Sequence, residues 1–248
     1  MFTLLRKEIE SFLSSLIAYI VIVVFLLVMS FFLWMLNVDV FLGWNDIISN
    51  NKANLDGLFM VAPYVFMFLI PAITMKMFAE ETRNGTFEIL LTKPLSDSQI
   101  VLAKFFAGVL LVVFSLIPTL IYYYSVYRLG EIPGNIDSGA MWTSYLGLLL
   151  VGACFVSIGI FASSLTSSQI LSFIFAALIS VFVYIGFSVL WKLRMFTDVA
   201  LFMHGLGIEA HYESIRRGVV DLRDIVYFLS LITFFLMLTR FSLSSRKW

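Results

Sequence analysis

The sequence predicts an all-α integral membrane protein with six transmembrane helices. Of its 248 residues, 61% are hydrophobic and 13% charged, against about 45–50% apolar and about 25% charged in a soluble domain. Mean hydropathy is +0.99. Six apolar segments reach the roughly 20 residues that a helix needs to cross a hydrocarbon core. The polar residues gather in the intervals between them. Nearly the whole chain therefore lies in the bilayer or at its surface, as a single transmembrane domain over residues 1–248.

Charge and cysteine content narrow the function. Sixteen basic residues balance 16 acidic ones, so charge gives no sign of nucleic acid as a partner. The single cysteine, Cys154, sits in an apolar run, which excludes an internal disulfide and a cysteine metal cluster. The first apolar run is too long for a signal-peptide core and lacks a small-residue cleavage site, so it reads as a span.

In chain order, residues 1–15 come first. Phe2, Leu5, Ile9 and Phe12 fall at helical spacing, with Arg6, Lys7, Glu8 and Glu10 mostly elsewhere. This is either a helix lying in the membrane interface or an extension of the first span. The spans are expected near residues 16–36, 57–78, 101–124, 143–165, 169–190 and 224–243. The first and fifth are the cleanest. Pro63 and Pro71 interrupt the second and Pro118 the third, and each proline removes a backbone bond and kinks its helix. Ser96-Asp97-Ser98-Gln99 is an S-x-x-Q capping box that starts span three. Gly152, Gly159 and Ser163 share a stripe of span four, suited to close packing within the bundle or against a second copy.

The most polar interval between two long apolar blocks is Ala79–Leu95, AEETRNGTFEILLTKPL. Asn84-Gly85 stops one helix, because both residues tolerate the left-handed cap. Thr86 caps a new short helix, which Pro94 ends. Phe87, Leu90 and Leu91 share one face of it, with Glu88 and Thr92 opposite. The interval is either a solvated turn between spans or a docking helix for a cytosolic partner.

Basic residues set orientation. With the N-terminus inside, nine fall on the inner side and seven on the outer, five of the seven in one long loop. The short loops and tails favour both termini inside. The long outer loop, Trp191–Arg223, is apolar in parts but broken by Gly205 and Gly207. It reads as one or two re-entrant or interfacial helices, then a polar turn, HYESIRRGVVDLRD, entering span six. Arg217-Gly218 stops a helix there, and Asp221 or Asp224 caps the last span.

Much chemistry is missing. The chain has no G-x-x-x-x-G-K-[ST] phosphate loop, no G-x-S-x-G elbow and no H-E-x-x-H helix, so ATP hydrolysis is not expected in it. His204 and His211 lie near Glu209 and Glu213, but make no recognised ligand spacing. The spans carry no ionisable residue in their central portions. Lys76, Lys104 and Arg240 stand at ends, where they are expected to snorkel to the surface. A proton- or ion-coupled carrier normally keeps such a group buried, so the energy for any work is expected from elsewhere.

Three stretches carry a resemblance. RKEIESFLSSLIAYIVIVVFLLV, PAITMKMFAEETRNGTFEILLTKPLSDSQIVLAKF and HYESIRRGVVDLRDIVYFLSLITFFLMLT resemble, in that order, the interface helix and first span, the coupling region, and the final span of type-two ABC exporter permeases. The likeness is closest to the gliding-motility branch, GldF. Its most specific part is E-E-x-R-x-G-T-x-E-x-L-L, from Glu80 to Leu91. The resemblance implies a six-span permease in a bacterial inner membrane, paired with a second copy or a paralogue. It also implies separate ABC ATPase subunits that bind ATP and Mg, this chain holding no cofactor. Glu81, Arg83, Gly85, Thr86, Phe87 and Glu88 would form the cytoplasmic coupling helix, with Arg83 and Glu88 bonding the ATPase and Phe87 and Leu90 filling its groove. Closure of the ATPases would move that helix, and spans one, two and five would reshape a central path. Two other readings stay open. One is a non-transporting scaffold of an ATP-driven machine. The other is an intramembrane enzyme built on His204, His211, Glu209 and Asp221.

Overall fold

The computed structural model describes residues 1–34, 55–87, 96–129, 137–192 and 205–245, and the regular structure among them is helical. The elements are α1 (Phe2–Leu13), α2 (Leu16–Trp34), α3 (Asp56–Thr74), α4 (Ala79–Arg83), α5 (Asp97–Leu116), α6 (Leu120–Leu129), α7 (Ser138–Leu165), α8 (Gln169–Val181), α9 (Phe187–Lys192), α10 (Ile208–Arg216) and α11 (Leu222–Ser245). Five stretches are long and apolar enough to cross a membrane: Asp56–Arg83, Asp97–Leu129, Ser138–Leu165, Gln169–Leu190 and Leu222–Ser245. The sixth candidate is the α1–α2 pair, bent by 64° between Phe2–Leu13 and Ala18–Trp34. The bend makes α1 a helix of its own rather than an extension of the first span.

Helix α7 is the axis of the bundle. It packs on α3, α5, α8, α10 and α11. Of its most apolar stretch 78% is buried, against 28% for Gln169–Leu190 and 22% for α11. Small residues make this central position work. A Cβ on Gly152 would stand 2.6 Å from Val112 Cγ1, and one on Gly108 would stand 2.7 Å from Val156 Cγ1. Helices α5 and α7 thus each offer a glycine to the other's valine. A Cβ on Gly159 would meet Thr74 Oγ1 of α3 at 2.0 Å. The small-residue stripe of span four is filled by this chain's own helices and leaves no seam for a second copy.

Of the predicted interruptions the Pro118 break appears, while α3 runs unbroken through Pro63 and Pro71, and one break is added. Pro63 and Pro71 lie inside α3. Pro118 sits in a 3₁₀ turn, Ile117–Thr119, joining α5 to α6, since a residue without N–H cannot continue the α ladder. The Ser96 capping box forms as expected, with Ser96 Oγ accepting from Gln99 N and Gln99 Oε1 from Ser96 N. The fifth span, read as uninterrupted, carries a π turn at Phe182–Gly186 between α8 and α9. The π turn adds a residue to the helical turn, and here Tyr184 is buried between the rings of Tyr64 and Phe155, at 5.6 and 6.0 Å.

Helix α10 occupies much of the stretch expected to be a polar turn before the last span, while the apolar part of the loop, residues 193–204, lies outside the described residues. The helix presses Ile208, Tyr212 and Ile215 into the bundle, against Gly147 of α7, where a Cβ would stand 3.0 Å from Ile215 Cγ2. Tyr212 Oη donates to Phe59 O at 2.7 Å. Gly218, at φ +87, ends this region, and Asp221 Oδ1 accepts from Arg223 N at 3.0 Å as α11 begins.

Candidate functional site: a buried ion triad beneath the polar interval

Lys104 overturns one expectation. It lies two turns into α5 and does not snorkel: it is 1% exposed. Its Nζ donates to Glu8 Oε1 of α1 at 3.0 Å and lies 3.0 Å from Glu81 Oε1 of α4. The Phe78 ring takes a third side of the ammonium, its centroid 5.0 Å away. Lys7 Nζ reaches to 4.0 Å from Glu81 Oε1 at the rim. Desolvating these charges costs several kcal/mol per ion, and the cost is recovered only when each finds its partners. The reason the ammonium stays inside is that α1 folds back over it. The bend after Leu13 brings Glu8 to the inner face, where Leu4 and Glu8 are buried while Phe2 is exposed. Of the apolar face expected on α1, Leu5 and Phe12 pack against the core beside the buried Leu4 and Glu8, while Phe2 stands outside.

The polar interval is held from two further points. Ser163 of α7 accepts from Phe78 N and Ala79 N, both at 3.0 Å, and donates to Met75 O at 3.1 Å. One hydroxyl therefore fixes the turn between α3 and α4. At the other end Gly85 has φ +70, a left-handed stop that glycine adopts without strain.

Of the residues expected to couple to a partner, Glu81 points inward to Lys104, and its Oε2 is buried without a hydrogen-bond partner among the described residues. Arg83, Gly85 and Thr86 are exposed. Thr86 and Phe87 are helical, and Thr86 Oγ1 donates back to Glu81 O at 3.3 Å, while the amides it was expected to cap lie outside the described residues. Phe87 is buried against Phe78, ring centroids 6.0 Å apart, so its side chain is used within this chain. Glu88, Leu90, Leu91 and Pro94 lie outside the described residues. A cleft of about 390 Å³ opens beside the triad, lined by Lys7, Ser11, Lys76, Glu80 and Thr86 among others.

The triad moves no electron and holds no nucleophile. Its chemistry is cohesion: one cation ties the N-terminal helix, the polar interval and span three. Sequence reasoning missed it because Glu8, Glu81 and Lys104 are far apart in the chain. The one available signal was an unneeded carboxylate on a helix that only had to rest on a membrane.

The opposite end of the bundle holds the second polar group. His211 Nδ1 lies 2.6 Å from Asp224 Oδ1 and Nε2 lies 2.9 Å from Gly205 O, while the ring stacks on Tyr227 at 4.0 Å. Nδ1 thus holds α10 on α11, and Nε2 holds the turn that precedes α10. Asp221 caps α11, and His204 is outside the described residues. Among the described residues no three His, Cys, Asp or Glu side chains are grouped to hold a metal. Burial raises the Tyr212 phenol above its usual range, with Arg216 opposing, so it stays a neutral donor.

No curated protein matches this sequence. Residues 2–243 match the family described as ABC-2 family transporter protein. That match takes in α1, the polar interval, span three and the triad that joins them. The chain belongs to the ABC-2 family of transporter proteins, as a membrane-spanning permease subunit.

Proposed function

We propose that this chain couples ATP hydrolysis in separate ABC ATPase subunits to movement of a substrate across the membrane, as one permease half of an exporter. The buried bond of Glu81 to Lys104 supports the reading most. A displacement of α4 by a docked partner pulls on a buried cation, and through it on α1 and span three. Exposed Arg83, Gly85 and Thr86 are offered to the ATPase, with Glu88 beside them in sequence. Glu81 and Phe87 anchor the element instead of touching the partner. In this reading the termini are cytoplasmic, the membrane is a bacterial inner membrane, the second permease is a copy or a paralogue, and ATP and Mg sit in the ATPase. The gliding-motility type is the subfamily that the Glu80–Leu91 pattern favours.

The test separates docking from transmission. Arg83→Glu is expected to lower co-purification of the ATPase at least tenfold. Glu81→Gln is expected to retain the ATPase but to lower substrate-stimulated hydrolysis in vesicles. Loss of co-purification in Glu81→Gln with none in Arg83→Glu would reverse these roles and defeat the assignment.

A further inference from the structure

Two cavities share Tyr64 as a wall, and they differ in chemistry. The larger, about 610 Å³, is a groove between α2, α3 and α8, lined by Val24, Val61, Phe68, Ala72 and Phe173 among others. Tyr64 is the one hydroxyl-bearing side chain on its wall. The smaller, about 130 Å³, lies under α10 and is lined by Tyr64, Tyr184, Tyr212, Glu209, Glu213 and Arg216. Phe68, well exposed at 58%, leaves the groove open along its side.

The polar cavity carries one charge of each sign to spare. Glu213 is paired with Arg217. Glu209 and Arg216 face the same cavity without an ion pair to each other or to another described side chain. They stand seven residues apart, two turns of α10, so they share its face. Arg216 offers a planar fork suited to a phosphate, and Glu209 accepts from an ammonium. The groove is fitted in length as well. Val61 to Ala72 spans eleven residues, about 16 Å of helix, close to half of a hydrocarbon core of about 30 Å.

We propose that the two cavities together bind one zwitterionic phospholipid, which passes from one to the other around Tyr64. Its phosphate lies at Arg216, its ammonium at Glu209, and one acyl chain runs down the groove past Tyr64. The π turn contributes by seating Tyr184 where it closes the back of the head-group cavity. The site rests on the cavities and their charges alone, and stands whether or not the chain moves the lipid.

The experiment is native mass spectrometry of the purified, delipidated chain, titrated with phosphatidylethanolamine or phosphatidylglycerol. The wild type is expected to retain the ethanolamine lipid at least fivefold better. Glu209→Gln, nearly isosteric, is expected to erase that preference while leaving phosphatidylglycerol retention unchanged. Arg216→Gln is expected to weaken both lipids, and Val65→Trp, which fills the groove, to remove both. Equal retention of the two lipids by the wild type, or a preference untouched by Glu209→Gln, overturns the proposal. A groove occupied by a second copy would give disulfide-linked dimers with Phe68→Cys and no retained lipid, which also overturns it.

Discussion

Lys104 concentrates the energetics of the N-terminal end on one atom. Replacing it with Met leaves Glu8 and Glu81 facing each other with only the rim Lys7 nearby. Breaking one side of a buried ion pair costs about 3–5 kcal/mol, and a lowered midpoint of thermal unfolding in detergent is the expected sign. The triple change Lys104→Met, Glu8→Gln, Glu81→Gln removes all three charges together and is expected to recover most of that loss, since a buried ion pair and its neutral replacement are nearly equal in stability. A triple variant no better than Lys104→Met would show that packing, not charge, sets the cost. At this scale the sequence was least informative. Lys104 looks like a terminal lysine because its helix starts only eight residues earlier at the Ser96 cap. Its burial depends on α1 folding back, which no local pattern near Lys104 records. The glycines were more legible, because backbone sterics act locally: Gly85 and Gly218 both take the positive φ their neighbouring residues suggested.

At the scale of elements, the bounds followed chemistry that sits in adjacent residues. The Ser96 box, the Pro118 break and the Arg217-Gly218 stop all fall where turn and cap residues placed them. The π turn did not show, because Phe182–Gly186 is as apolar as the rest of its span and the extra residue serves a distant contact, Tyr184 on Tyr64. Two expectations belong here. Gly85→Asn is expected to be tolerated, whereas Gly85→Val costs about 1–2 kcal/mol from the left-handed backbone, since among the described residues nothing beyond its chain neighbours lies within 4 Å of the added Cβ. Chemical denaturation of the two variants distinguishes them. Gly159→Ala is the contrasting case, a clash of packing rather than backbone. Its Cβ would fall 2.0 Å from Thr74 Oγ1, and overpacking of this kind costs about 1–3 kcal/mol. Thr74→Ala in the same chain is expected to return part of the loss, and no return would place the strain elsewhere.

For the whole molecule, composition alone was enough to predict a bundle of spans, because an apolar excess of this size leaves no soluble alternative. Which helix stands at the centre was not equally plain. The stripe of Gly152, Gly159 and Ser163 marked α7 as a close-packing helix, but only the fold shows how many neighbours use it. Its roles also differ along its length. Gly147, Gly152 and Gly159 admit side chains at three levels, and Ser163 clamps the turn into the polar interval at a fourth. Ser163→Ala keeps the volume and removes the clamp. It is expected to leave the bundle folded and to make amides 78 and 79 exchange faster with solvent, as read by hydrogen–deuterium exchange.

The reciprocal glycines have a mechanical consequence. Val156 enters the socket at Gly108, and Val112 enters the socket at Gly152. Teeth on both helices are engaged in opposite senses, so neither helix slides along the other without climbing out of two sockets at once. Packed interfaces shift in discrete steps rather than deforming smoothly, and here even the first step is blocked. In the proposed coupling, a stroke arriving through Lys104 would turn α5 and α7 as one lever, with the give where no such key is cut, at the bend before α2.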